Sequence, residues 1–190
     1  MKKILLLSTV LTVLIGIALL VMLPVSHSMI QSGLNGTKWY SGAAPIFASG
    51  LVGDTPVKET LLVKATTKAF DGNLAWTALV GWLLILLATL LTTLSLVLLL
   101  FKSRKARNAS NILKFVSTVF FAAAGIMLLF TVRVFAEAQV SLKKDYAENF
   151  IKSYKLSNTW ITSAILSMAC SAVIVIPYIL KLFVSEKEEE

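Results

Sequence analysis

LAWTALVGWLLILLATLLTTLSLVLLLF, residues 74–101, contains no charged side chain, and thirteen of its positions are leucine. A helix that is apolar on every side belongs in lipid or in a large protein core. At about 1.5 Å per residue the run reaches roughly 40 Å, more than the hydrocarbon thickness of a bilayer, about 30 Å. The stretch therefore reads as a membrane span that tilts or protrudes. Within it Ala78, Gly81, Ile85, Ala88, Thr92 and Ser95 recur every three or four residues. Small and hydroxylated residues let helices approach closely in lipid, so this stripe is expected to face other helices. Leu83, Leu87, Leu90, Leu94 and Leu98 are expected to face lipid. The hydroxyls of Thr89, Thr92, Thr93 and Ser95 either line a polar path or bond to nearby backbone. The second is the usual role of such residues in a span.

Composition supports the same class. Of 190 residues, 57% are hydrophobic and 15% charged, against about 25% charged in average globular chains. Three further apolar runs complete a four-span plan: residues 4–23, 112–136 and 158–184. The first follows Met1-Lys2-Lys3 and closes at Pro24. Its length exceeds a signal-peptide core of about 7–15 residues, so it reads as a retained span. The fold class expected is an all-α integral membrane protein, a four-transmembrane-helix bundle with a partly structured first outer loop. The same small-residue logic assigns helix-packing faces to the other spans. These are Ser8, Thr12 and Gly16 on the first, Ala122 and Gly125 on the third, and Ala164, Ser167 and Ser171 on the fourth. Pro177 is placed to kink the last span.

The connectors differ in character. Residues 24–73 carry turn signals at Gly33, Asn35-Gly36, Gly42, Pro45, Gly50, Gly53-Asp54 and Pro56. Short apolar pieces lie between them, so one or two short strands folded against the bundle mouth are expected. Residues 59–70 fit either a strand or a helix, with the helix preferred. Residues 102–111 form a short basic link. Residues 137–157 mix charges with Leu142, Tyr146, Phe150 and Tyr154 at four-residue spacing, which predicts an amphipathic connector helix.

The net charge is +8. Lysines and arginines that flank apolar spans answer to membrane orientation and anionic headgroups, so nucleic acid is not an expected partner. The expected partners are the lipid bilayer and other membrane proteins, or a second copy of this chain. Four spans put both termini on one side with the 102–114 link. Nine Lys or Arg fall on each side. Those beside the termini and the link, Lys114 among them, are packed more densely against the span ends. The positive-inside rule then places both termini in the cytoplasm, in the plasma membrane. Trp76 and Trp160 would lie at the outer interface and Tyr178 and Phe183 at the inner one.

Residues able to carry chemistry are sparse. His27 is the sole histidine and Cys170 the sole cysteine. A Cys-based metal site and an intramolecular disulfide are therefore excluded, and His27 reads as a polar interface residue. Asp54, Glu59 and Asp71 match no ion-binding loop. Asn35-Gly36-Thr37 is a glycosylation sequon, meaningful on an outer loop in a glycosylating host. No cofactor or metal is expected and the protein reads as a non-enzyme. The sharpest pair is Arg133 and Glu137, near the end of the third span and four residues apart. An ionisable residue in a span is by default a functional candidate, and near an end it can snorkel or pair instead. Pairing at the outer mouth is the expectation.

Four spans, a first outer loop of about fifty residues, a short basic inner link and a shorter second outer loop make a layout similar to that of the claudin-like four-span proteins. The likeness lies in element lengths. Trp39 and Gly50-Leu51-Val52 loosely echo that family's outer-loop motif at shorter spacing, and its cysteine pair is absent here. The resemblance implies an adhesion or barrier-type role through the outer loops. The functional expectation is an accessory, scaffold or assembly subunit acting through helix packing and outer loops. A small transporter or channel subunit is the alternative, and a membrane-embedded enzyme comes last.

Overall fold

The computed structural model describes residues 2–33, 36–47, 51–52, 55–56, 77–101, 103–142 and 154–186. Four long helices dominate it: α1 (Lys2–Val25), α3 (Thr77–Leu100), α4 (Arg104–Leu142) and α5 (Asn158–Glu186). All four are long and apolar enough to cross a membrane. A five-residue helix, α2 (Ala43–Phe47), lies between α1 and α3 in sequence.

The bundle is a square. α3 packs on α4 and α1, and α5 packs on α4 and α1, so α1 and α4 face one another across the centre. The core runs along its axis through Leu19, Leu23, Ala78, Ile85, Ala88, Phe121, Ala124, Leu128, Trp160, Ala164 and Ile174. The leucines at 83, 87, 90 and 94 of α3 are exposed on its outer side. In lipid that exposure costs nothing, since the chains around them are as apolar as the core.

The connectors at the end opposite the termini form one antiparallel sheet. Its strands are β1 (His27–Gly33), β2 (Gly36–Ser41), β3 (Leu51–Val52), β4 (Thr55–Pro56) and β5 (Tyr154–Leu156), in the order β4-β3-β2-β1-β5. β1 pairs with β2 as a hairpin, with an irregularity between His27 and Met29. β5 comes from the other connector and adds to the free side of β1, with Met29 opposite Leu156 and Gln31 opposite Tyr154. The first connector thus holds more strand than the one or two short pieces expected, and an all-α description is too narrow.

Two boundaries differ from the sequence reading. The third long helix begins at Arg104, so most of the basic link is its first turns. Ser103 caps this end, its Oγ accepting from Ala106 N at 3.1 Å, and nothing between Ser103 and Ile112 breaks a helix. At its far end the helix continues through Arg133 and Glu137 to Leu142. The amphipathic connector helix expected over 137–157 is helical up to that point, but Tyr154–Leu156 is a strand, because β1 offers those residues a free ladder edge. Residues 57–76, with Glu59, Asp71 and Trp76, lie outside the described residues, as do Asn35, Asp54, Tyr146 and Phe150.

Candidate functional site

Two regions concentrate polar groups: the junction between sheet and bundle, and the half of the bundle nearest the termini.

Ser157 makes the junction. It is the N-cap of α5, its Oγ accepting from Trp160 N at 3.2 Å. The same hydroxyl reaches the His27 carbonyl, and Ser157 N donates to Ser28 O at 2.9 Å. Buried Ser28 places its Oγ 3.1 Å from the carbonyls of both Tyr40 and Ser41. Gly42 completes the seam. A Cβ at this position would collide with the Leu23 carbonyl, so the chain leaves β2 past the end of α1 only without a side chain there. Above the seam Trp39 is exposed and its ring lies 5.0 Å from that of His27. Below it Phe47 of α2 meets Trp82 edge-on at 5.1 Å, and Trp82 Nε1 donates to Leu20 O at 3.1 Å. His27 therefore acts as a ring partner at the sheet base. Among the described residues no group of His, Cys, Asp and Glu could hold a metal ion.

The packing faces come together as follows. Thr12, Gly16, Ala78, Gly81, Ala88, Gly125, Ala164 and Ser167 are buried, whereas Ser8, Ala122 and Ser171 are partly buried. Gly16 lies against the side chain of Thr89, and a Cβ on Gly125 would stand 2.7 Å from the Ala164 carbonyl. Ser167 Oγ donates across to Phe121 O at 2.8 Å and Ser171 Oγ to Thr118 O at 3.1 Å. Thr89, Thr92 and Thr93 donate to carbonyls one turn back in their own helix. Arg133 and Glu137 share a face of α4 by spacing, and their side chains lie outside the described residues.

Sequence reasoning missed one residue. Lys114, counted above with the basic residues flanking the spans, is 1% exposed, and its Nζ has no hydrogen-bond partner among the described residues. The signal was present in the periodicity. Ser110, Lys114, Ser117, Phe121, Ala124 and Leu128 follow one another at helical spacing and are all buried. Around this level the core is hydroxylated. Thr92 Oγ1 meets Ser117 Oγ at 3.0 Å, Ser95 Oγ meets Ser110 Oγ at 2.8 Å, and Ser117 Oγ donates to Ala88 O at 3.0 Å.

No protein-family model matches this chain, and no curated protein matches it in sequence. Trp160 also stands apart from the belt position expected of it. It is fully buried, and its Nε1 donates to Leu128 O at 3.0 Å. As the third residue of a capped helix it turns toward α4, and an indole N–H taken out of water requires such an acceptor.

Proposed function

We propose that this chain is a non-enzymatic accessory, scaffold or assembly subunit of the plasma membrane, with both termini in the cytoplasm and the sheet outside. It works through lateral contacts of its helices and through the outer sheet. The observation that carries this reading is the union of both connectors in one sheet fixed to the bundle through Ser157 and Gly42. Such a sheet holds its surface in a fixed orientation above the membrane, with Trp39 exposed on it, and large exposed aromatics are characteristic anchors of protein contacts. Its edge strand β5 offers backbone groups for strand addition, whereas Pro56 blunts the β4 edge. The layout similar to the claudin-like proteins points to the same adhesion or barrier-type use of the outer loops.

Crosslinked affinity capture from native membranes tests this reading. A stoichiometric membrane-protein partner, or a second copy, that is lost with Trp39→Ala supports it. Solute transport by the purified chain in liposomes, with no protein partner captured, contradicts it.

A small transporter or channel subunit is the second reading, and buried Lys114 favours it. Against it, the half of the described core nearest the sheet is closely packed and apolar, with Leu19, Leu23, Ile85, Leu128 and Trp160 across the axis.

A further inference from the structure

Lys114 poses a charge-balance problem within the bundle. Its Nζ is buried and has no hydrogen-bond partner among the described residues. The sequence contains no Asp or Glu before Asp54, between Asp71 and Glu137, or between Glu148 and Glu186. No carboxylate of the four membrane spans can therefore face the ammonium. A buried, unpaired charge is among the costliest features a bundle can carry in lipid.

The surroundings of Lys114 follow from the helix pairings. The Thr92–Ser117 and Ser95–Ser110 contacts bracket it on the α3 side. Ser171 on Thr118 O, and Tyr178 OH on Asn111 Oδ1 at 2.9 Å, bracket it on the α5 side. Gly16 lies against Thr89. In an antiparallel pair this brings Thr12 and Thr9 of α1, both buried, to the level of Thr92 and Ser95. The lysine thus faces the bundle centre within a layer of hydroxyls. A side chain on a helix leans toward the helix N-terminus, so Lys114 leans toward the termini end. There Arg104, Lys105 and Arg107 are exposed on the first turns of α4.

We propose that Lys114 and this hydroxyl layer form a binding site for a small monovalent anion, chloride in the first instance, entered from the termini end. The exposed cations at the mouth raise the local anion concentration. The ammonium supplies the counter-charge, and the hydroxyls supply donors in place of the anion's hydration shell. Thr9, Thr12 and Thr92 donate to the carbonyls of Leu5, Ser8 and Ala88. In a continuous helix such carbonyls already accept a backbone N–H. Each hydroxyl hydrogen can therefore turn to an anion without leaving its carbonyl bare. Beyond Ile85 and Phe121 the core cluster is hydrophobic, so the site binds and does not conduct. This inference is independent of the assembly role.

The test is thermal unfolding of the full-length protein in detergent, in sodium chloride or sodium bromide against sodium gluconate at equal ionic strength. Chloride and bromide should raise the midpoint saturably, by about 3–5 °C at ten times the half-saturating concentration. Lys114→Met should lose this halide dependence, Lys114→Gln should lose it if the methionine variant does not fold, and Lys155→Gln, exposed on β5 at the opposite end of the bundle, should keep it. A wild-type midpoint identical in chloride and gluconate overturns the proposal. So does a halide shift that survives in the Lys114 variant or disappears in Lys155→Gln.

Discussion

The indole of Trp160 donates to the carbonyl of Leu128 at 3.0 Å, joining the first turn of α5 to the middle of α4. The bond lies in a fully buried part of the core. Trp160→Phe keeps most of the ring volume and deletes the donor. Interhelical hydrogen bonds in membrane proteins average about 0.6 kcal/mol and reach about 1.7, so a loss of roughly 1 kcal/mol is expected. Trp160→Ala should cost about 3–5 kcal/mol through the cavity it leaves. Reversible unfolding in mixed micelles measures both, and equal costs for the two would place Trp160 outside the core.

Glycine substitutions should rank by what a Cβ meets. On Gly125 it would stand 2.7 Å from a backbone oxygen, which can yield only if the helices separate. On Gly81 the nearest atoms, Leu128 Cδ2 and Cγ at 3.2 Å and the Ala124 carbonyl oxygen at 3.3 Å, stand farther off. Gly125→Ala should therefore destabilise more than Gly81→Ala. Gly81→Leu should cost about 1–3 kcal/mol as an overpacking change. Leu90→Ala, on the exposed face of α3, should be nearly neutral in lipid. Equal tolerance at Gly81 and Leu90 would put the wrong face of α3 against its neighbours.

Ser157 serves sheet and helix at once, and Ser157→Ala removes the cap and the tie to His27 together. Loss of an N-cap alone costs about 0.5–2 kcal/mol. Ser157→Thr keeps the hydroxyl and should recover most of it. Hydrogen exchange gives the more specific readout. Backbone amides of β5 and β1 should lose protection in the alanine variant while the middle of α3 keeps its own. Uniform loss across the chain would mean that Ser157 acts only as a general helix cap.

What the sequence made legible follows from the periods it contains. The four long apolar helices were readable because crossing lipid demands about 20 apolar residues in a row, a pattern that residues 74–101 could not hide. The contrast between small residues and leucines along α3 was readable because helical spacing separates its faces. The sheet was only partly visible, since β5 is a three-residue strand stabilised by a partner some 125 residues away in sequence. Local pattern at Tyr154 favoured a helix, and a non-local ladder overrode it. The burial of Trp160 and Lys114 was not legible, for a common reason. Each residue type usually sits at a membrane boundary, whereas the face of the helix decides, and both positions are turned inward.

Arg133 and Glu137 stand four residues apart on the continuous α4 helix. An exposed pair of this spacing contributes about 0.3–0.5 kcal/mol, and a less hydrated boundary raises the cost of leaving one partner alone. Arg133→Gln and Glu137→Gln should each lower stability, with the double variant no worse than the worse single one. A double-mutant cycle measures the coupling. Additive effects would show that the two act separately.

We propose that the chain crosses the membrane four times and that its two sheet-forming connectors share the outer face. Cysteine accessibility in intact cells checks this topology, in a background where buried Cys170 is replaced by serine. A membrane-impermeant thiol reagent should label Ser49→Cys in the first connector and Ser153→Cys in the second. It should reach Ser103→Cys, in the α3–α4 turn, only after the membrane is permeabilised. Labelling at 103 in intact cells with 49 and 153 protected would invert the molecule. Labelling of 49 without 153 would place the two connectors on opposite sides and contradict the shared sheet.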